Sequence, residues 1–130
     1  MKNMESYKNE GTNTMPTINF DLMAGTLEIK GRSIPENSVE FYKPLTDALK
    51  SYSSAPKETT IVTIELEYFN TSSAKCLLDF FKELEGLRVT GGSAVKIRWG
   101  YQAEDENILE AGKEYQTMLK IPFELFEMEE

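Results

Sequence analysis

The apolar and polar positions of the chain begin to alternate after residue 15. In "TINFDL" the side chains of Ile18, Phe20 and Leu22 fall on one face of an extended chain, and "TLEIKG" repeats this alternation. The intervening "MAG" is short enough for a hairpin, so the pattern predicts two antiparallel strands. Residues 1–15 are polar and have no such period, and we expect them to form a flexible leader.

Helical and strand patterns then alternate along the chain. Three segments place apolar residues three and four positions apart, as amphipathic helices do, while "TTIVTIELEYF", "AVKIRWGY" and "IPFELFE" have the composition of strands. Pro44 lies inside the first helical segment, and because proline removes a backbone N–H we expect a bend there or a helix start near Lys43. The residues predicted to face inward are Phe41, Leu45, Ala48, Leu49 and Tyr52, then Ala74, Leu77, Leu78, Phe81 and Leu84, and then Ile108, Leu109, Gly112, Tyr115, Met118 and Leu119.

The predicted elements follow one another in the order β-β-α-β-α-β-α-β. Strands that alternate with helices favour the α/β class, with a mixed sheet of about five strands and about three helices, and with right-handed crossovers between the parallel strands. The length of 130 residues fits one domain, which we place over residues 16–130.

Acidic residues dominate the charge of the chain and cluster towards its end. The formal net charge is −8, and residues 103–130 hold nine acidic side chains against two lysines. Nucleic-acid binding needs a cationic surface that releases counterions from phosphates, and docking on anionic lipids needs a cationic surface too. The sequence therefore predicts neither a nucleic-acid partner nor a membrane partner.

The residues needed by common enzymes are missing from the sequence. The chain contains no histidine, which removes the usual general base at neutral pH and excludes Ser-His-Asp and Cys-His arrangements. Gly91 and Gly92 are not followed by the Gly-Lys-Ser/Thr of a phosphate-binding loop, so they indicate a turn. We predict no enzyme, and expect no catalytic residue, no metal site and no cofactor.

Cysteine usage and hydropathy indicate a cellular compartment. The single cysteine, Cys76, has no intramolecular disulfide partner, which fits a reducing environment. The polar N-terminus is unlike a signal peptide, and no apolar run reaches the roughly 20 residues that span a bilayer. We expect a cytoplasmic protein.

Four small polar residues, Asn70, Thr71, Ser72 and Ser73, stand between the end of a predicted strand and the start of a predicted helix. One interpretation is a helix cap, in which Asn70 or Thr71 accepts a hydrogen bond from a backbone N–H two or three residues on. The other is a hydroxyl presented for modification, because a helix N-terminus at the end of a central strand stabilises an added phosphoryl group. These residues alone leave both interpretations open.

Four stretches together resemble the SiaC-type regulatory phosphoproteins of bacteria. They are "IPENSVEFY", "LEYFNTSSAKCLLDFFKELE", "KIRWGY" and an acidic helix followed by "PF", and the resemblance runs from about Met15 to Phe126. It implies a single STAS-like domain, similar to the anti-sigma-factor antagonists. It also implies a non-enzymatic protein that is controlled by a threonine phosphoswitch.

The resemblance assigns roles to particular residues. The family is phosphorylated on the threonine that follows the asparagine, which is Thr71 here. A kinase with a histidine-kinase-type ATPase fold is expected to add the phosphoryl group, and a PP2C-type phosphatase to remove it. The unphosphorylated form is expected to bind a diguanylate cyclase, a GGDEF protein, and so to control cyclic-di-GMP signalling. The residues expected around the phosphosite are Asn70, Ser72 and Ser73, and those expected to shape the partner-binding surface are Pro35, Glu36, Asn37, Ser38 and Lys75.

Two other functions remain open at this point. A small-molecule-binding α/β domain would hold its ligand in the crevice at the end of the sheet, in a deep pocket with convergent polar groups. A constitutive protein-interaction adaptor would bind its partner equally well with or without a modification.

Overall fold

Apolar side chains at every second strand position build one buried face of a sheet, against which the helices pack. The computed structural model describes residues 6–128. Its elements are β1 (Tyr7–Asn9), β2 (Thr17–Asp21), β3 (Thr26–Ser33), α1 (Ser38–Tyr52), β4 (Thr59–Phe69), α2 (Thr71–Thr90), β5 (Ala94–Gln102), α3 (Glu106–Met118) and β6 (Phe123–Met128).

Over the described residues the sheet has six strands in the order β1-β2-β3-β4-β5-β6. The first three strands are antiparallel, and β3 to β6 are parallel, with α1, α2 and α3 as the crossovers between them. The predicted α/β class, the mixed sheet and the order of elements are confirmed, with one strand more than expected. Because the parallel strands run the same way, β3 and β4 end side by side, with Ser33 paired to Phe69.

The additional strand, β1, lies inside the expected flexible leader. Residues Tyr7–Asn9 pair with β2, Tyr7 packs against the core, and the amide of Asn9 donates to the carbonyl oxygen of Pro16 at 3.2 Å. The leader prediction is therefore wrong for these residues, because three residues are too few to display a period but enough to complete a sheet edge. Residues 1–5 of the expected leader lie outside the described residues, and the single domain stays a prediction.

Helix α1 begins before Pro44, and earlier than the start near Lys43 that was one of the two expectations. Asn37 caps α1, its side-chain oxygen accepting from the backbone N–H of Glu40 at 3.1 Å, and the helix continues through Pro44 to Tyr52. A helix start near Lys43 is therefore wrong, while the bend stays a prediction. Pro44 and Glu40 are both exposed, so water can reach the Glu40 carbonyl oxygen that proline leaves without an N–H partner.

One of the residues predicted to face inward lies on the surface, because Met118, at the end of α3, is 49% exposed. Phe41 is half-buried and packs against the core, as Ala48 and Leu78 do. Its neighbour Tyr42, which was not predicted, is buried. Within residues 6–128, no helix is both long and apolar enough to cross a membrane.

The third helix is fixed to the sheet by a close contact between Gly112 and Trp99. Trp99 is buried, and its indole N–H donates to the carbonyl oxygen of Ile108 at 2.9 Å. A Cβ atom added at Gly112 would lie 2.5 Å from the Cδ1 atom of Trp99 and 2.8 Å from a methyl carbon of Leu125. The absence of a side chain at Gly112 therefore sets how closely α3 approaches β5.

Gly112→Ala is expected to lower the free energy of unfolding by about 1–3 kcal/mol, because the new methyl group overpacks against the Trp99 ring. Urea denaturation followed by tryptophan fluorescence measures this change. Gly86→Ala in α2 is the matched control, since nothing lies within 4 Å of a Cβ atom added there. That control is expected to raise the free energy of unfolding by about 0.5–1 kcal/mol. Equal effects of the two substitutions would contradict the prediction.

Candidate functional site

The corner between β4 and α2 is built on Asn70. Asn70 is the N-cap of α2, and its side-chain oxygen accepts from the backbone N–H of Ser73 at 2.9 Å. Its own N–H donates to the carbonyl oxygen of Ser33, and its carbonyl oxygen accepts from the N–H of Ala74. Of the two caps that the sequence left open, Asn70 therefore forms the cap, and Thr71 is left as the first residue of the helix.

The three consecutive hydroxyls after Asn70 have different surroundings. Thr71 is exposed, and within residues 6–128 no group hydrogen-bonds to its side chain. Ser72 is also exposed, but its hydroxyl donates to the side-chain oxygen of Asn70 at 3.3 Å and lies 2.7 Å from the hydroxyl of Ser38. Ser73 is fully buried at 0% exposure. The fold thus distinguishes three neighbouring hydroxyls by access and by hydrogen bonding.

Five side-chain hydroxyls meet behind the corner, and we call them the hydroxyl cluster. They come from β3, α1 and α2, and their residues are Ser33, Ser38, Tyr42, Ser72 and Ser73. Oxygen-to-oxygen distances between neighbours run from 2.6 Å between Tyr42 and Ser33 to 3.3 Å between Ser38 and Ser73. The cluster therefore ties the first turns of two helices to the end of β3.

The direction of the buried hydrogen bonds follows from the single proton that each hydroxyl carries. Ser73 donates to the carbonyl oxygen of Ser33 at 3.0 Å, and the Ser33 hydroxyl donates to Ser73 Oγ at 2.8 Å. Ser33 then has no proton left for Tyr42, so the phenol of Tyr42 donates to Ser33 across 2.6 Å. Burial raises the pKa of the Tyr42 phenol to about 12.

The segment Pro35-Glu36-Asn37-Ser38 lies beside the corner, as the resemblance implied. Pro35 and Ser38 are buried, Glu36 and Asn37 are exposed, and Ser38 joins the hydroxyl cluster. Lys75 is exposed, one turn after Thr71 on α2. The structure thus brings the two motifs together, although the roles assigned to these residues stay predictions.

The first turn of α2 is open to an anion. The backbone N–H groups of Thr71 and Ser72 have no acceptor among residues 6–128, whereas those of Ser73 and Ala74 bond to Asn70. The first turns of α1 and α3 each contain an acidic side chain, and that of α2 contains none. Since helix N-termini carry partial positive charge, this end can receive a negative group that the sequence does not itself supply.

Sequence reasoning missed Ser33 and Tyr42. A signal for Ser33 was present, because it continues the inward positions of Leu27 and Ile29 along β3 and is polar. A polar residue at an inward strand position indicates a buried hydrogen-bond partner. Nothing in the sequence identified that partner as the phenol of Tyr42.

A cavity of about 240 Å³ lies at the end of the sheet, lined by Glu67, Tyr68, Phe69, Asp105, Asn107 and Ile108. It is smaller than the range of about 300–1,000 Å³ that is usual for small-molecule sites. A groove of about 290 Å³ runs between α1 and α2, with side chains such as Lys43, Asp79 and Phe80 along it. Two larger spaces lie within that range, one of about 640 Å³ beside Lys30 and Phe126 and one of about 510 Å³ beside Pro35 and Phe41.

Comparisons with known proteins agree on one family. A family model described as SiaC family regulatory phosphoprotein matches residues 9–128. An uncharacterized protein of Pseudomonas aeruginosa is 33% identical over 113 residues, which cover 87% of this chain and 89% of that protein.

Solved structures are similar over almost the whole chain. A crystal structure of the diguanylate cyclase SiaD in complex with its activator SiaC, from Pseudomonas aeruginosa, matches with a TM-score of 0.87 at 30% identity. The match covers 94% of this chain and 99% of the matched chain. The crystal structure of apo-SiaC from the same organism matches with a TM-score of 0.84 at 30% identity, covering 93% of this chain and 98% of that one.

The raised pKa of Tyr42 makes stability depend on alkaline pH. Below about pH 10 the phenol is protonated in both the folded and the unfolded chain, and between about pH 10 and 12 only the unfolded chain releases the proton. The free energy of unfolding is therefore expected to fall as the pH rises through this window, by about 2–3 kcal/mol from this residue. Urea denaturation at about pH 9 and about pH 12 measures the fall, and Tyr42→Phe is expected to reduce it by that amount. An unchanged fall in Tyr42→Phe would contradict the prediction.

Proposed function

The chain belongs to the SiaC family of regulatory phosphoproteins, and on that premise we propose that Thr71 is its phosphoacceptor. In this proposal the chain performs no catalysis of its own. The presence or absence of a phosphoryl group on Thr71 controls its binding to a partner enzyme.

The observation that carries the proposal is the free hydroxyl of Thr71 at the start of α2. A kinase must reach the oxygen that it phosphorylates, and Thr71 is the exposed member of the three consecutive hydroxyls that makes no hydrogen bond within residues 6–128. The residues on either side of Thr71 are fixed by hydrogen bonds, because Asn70 caps the helix and Ser73 belongs to the hydroxyl cluster.

A phosphoryl group at this position fits the local electrostatics. It adds about −1.5 to −2 charges at neutral pH. The unpaired N–H groups of Thr71 and Ser72 and the positive end of the α2 dipole stabilise that charge, and the first turn of α2 contains no carboxylate to repel it. The folded chain can therefore carry the phosphate while its surface charge around the corner changes.

The proposed partner is a diguanylate cyclase. The SiaC of Pseudomonas aeruginosa that this chain resembles is the activator in a complex with the diguanylate cyclase SiaD. We propose that this chain binds such an enzyme in its unphosphorylated state and thereby controls cyclic-di-GMP signalling. Ser38 contacts Ser72, the residue after Thr71, and Lys75 lies one turn further along α2, so a phosphate on Thr71 would lie beside the proposed contact.

Two further proteins complete the proposed switch. A kinase with a histidine-kinase-type ATPase fold adds the phosphoryl group, and a PP2C-type phosphatase removes it. We place all of these in the cytoplasm, where the kinase has access to its nucleoside triphosphate. This location also fits the single free cysteine, Cys76.

Thr71→Val is expected to abolish phosphorylation, because it removes the acceptor oxygen and keeps the shape of the side chain. Thr71→Ser is the matched control and is expected to keep the label, since it keeps a hydroxyl. Incubation with the kinase and ATP followed by mass-spectrometric mapping of the site measures both. Both variants should unfold within about 0.5 kcal/mol of the wild-type chain, because the Thr71 side chain is exposed. A label that persists elsewhere at the wild-type level in Thr71→Val would contradict the assignment.

Phosphorylation is expected to weaken binding to the diguanylate cyclase by at least about tenfold, because the contact must then accommodate an unpaired charge. Calorimetric titration of the cyclase with phosphorylated and unphosphorylated chain measures the difference. Thr71→Val treated with kinase and ATP is the control, and its affinity should not change on treatment. Equal affinity of the two wild-type forms would instead identify a constitutive adaptor.

A further inference from the structure

The sequence offers a kinase three adjacent hydroxyls, of which the proposed function uses only Thr71. Burial alone keeps a kinase from Ser73, whose hydroxyl also donates to and accepts from Ser33. Access does not explain why a kinase would choose Thr71 over Ser72, because Ser72 is also exposed and lies one residue from Thr71. Some other feature must distinguish these two hydroxyls.

Hydrogen bonding distinguishes them. The hydroxyl of Ser72 lies 2.7 Å from the hydroxyl of Ser38, where either oxygen can be the donor, and 3.3 Å from the side-chain oxygen of Asn70, to which it can only donate. These two contacts together hold the Ser72 hydroxyl in one orientation. Within residues 6–128, the hydroxyl of Thr71 makes no such contact.

Phosphoryl transfer needs a hydroxyl that is free to turn, and the hydroxyl of Ser72 is held in place. The acceptor oxygen forms a bond to the γ-phosphorus of a nucleoside triphosphate while the bond from that phosphorus to the bridging oxygen breaks. The nucleoside diphosphate leaves, and the proton of the hydroxyl passes to a base of the kinase. An acceptor must therefore direct a lone pair at phosphorus and release its proton in another direction.

Turning Ser72 towards a kinase would break its bond to Ser38. Ser38 is 3% exposed, so water cannot readily replace the lost partner, and the remaining contact to Ser73 is longer, at 3.3 Å. Leaving a buried hydroxyl without a good partner is unfavourable, and that cost opposes the rotation of Ser72. Thr71 can turn without breaking any such bond.

We propose that Ser38, on α1, is the residue that confines phosphorylation to Thr71, by holding the hydroxyl of Ser72. This inference rests on the proposed function of Thr71 and adds the residue that selects it. Ser38 acts here as a positioning residue, because it determines which neighbouring hydroxyl is free to react and does not itself receive the phosphoryl group.

The test compares phosphorylation at Ser72 in variants that already lack the Thr71 hydroxyl. Thr71→Val alone is expected to give little label on Ser72 after incubation with the kinase and ATP. Adding Ser38→Ala is expected to raise the label on Ser72 by about three- to tenfold, the factor that corresponds to losing one hydrogen bond. Peptide mapping by mass spectrometry distinguishes Ser72 from its neighbours.

Ser33→Ala in the same Thr71→Val background is the matched control. It also removes a buried hydroxyl of the cluster, but Ser33 makes no hydrogen bond to Ser72, so no rise is expected. A merely structural effect of damaging the cluster would raise the label in both. Ser38→Cys serves as a second variant if Ser38→Ala does not fold, because it keeps a similar volume and replaces a strong donor by a weak one. Circular dichroism checks the fold of each.

The outcomes separate this inference from the proposed function. A rise on Ser72 with Ser38→Ala or Ser38→Cys, and none with Ser33→Ala, supports the role of Ser38. Label on Thr71 in the wild-type chain without that rise, or with an equal rise in the control, overturns the role of Ser38 and leaves Thr71 as the acceptor. Absence of any label on Thr71 in the wild-type chain overturns the proposed function itself and this inference with it.

Discussion

Asn70 joins the sheet to α2 through hydrogen bonds made by its backbone and by its side chain. Its N–H continues the pairing of β4 with β3, while its carbonyl and side-chain oxygens satisfy the N–H groups of Ala74 and Ser73. One residue therefore ends a strand and starts a helix without a loop between them. Because no loop residues separate the strand from the helix here, the position of the sheet fixes the position of Thr71.

The hydroxyl cluster behind the corner adds a second layer of constraint. Buried polar groups are tolerated when each has a partner, and within the described residues no buried side-chain nitrogen or oxygen lacks one. Apolar side chains in the same space would pack as well, but they would not set the rotation of α1 against α2 through directional bonds. The cluster thus orients two helix ends where a purely apolar contact would only bring them together.

Sequence patterns predicted the parts of this architecture that repeat. The alternation in β2 to β6 and the helical spacing in α1 to α3 extend over enough residues to be visible, and the order of elements was confirmed on that basis. The strand β1 is only three residues long, and the buried Tyr42 has its hydroxyl partner in Ser33, on a different element of the fold. Such features depend on contacts between distant parts of the chain, which a local pattern does not contain.

The residues of the candidate site could be predicted from the sequence, but the hydrogen bonds between them could not. The motif containing Thr71 and the motif containing Ser38 were both recognised, and the fold confirms that they are neighbours. What remained invisible was the set of bonds that makes Ser72 different from Thr71, since Ser38 lies 34 residues earlier in the chain. Two adjacent hydroxyls look equivalent in a sequence, and only tertiary contacts make their exposure and hydrogen bonding differ.

The burial of Ser73 also restricts the stage at which its hydroxyl can be modified. Before folding, all three hydroxyls of the corner are equally open to any kinase, and afterwards Ser73 is enclosed with its oxygen bonded to β3. A nascent chain that received a phosphate on Ser73 would have to place a dianion inside the interface of sheet and helix, which the finished structure has no room to solvate. A phosphoryl group on Ser73 is therefore incompatible with the finished corner, and a chain that carried one would have to lose it before this fold could be completed.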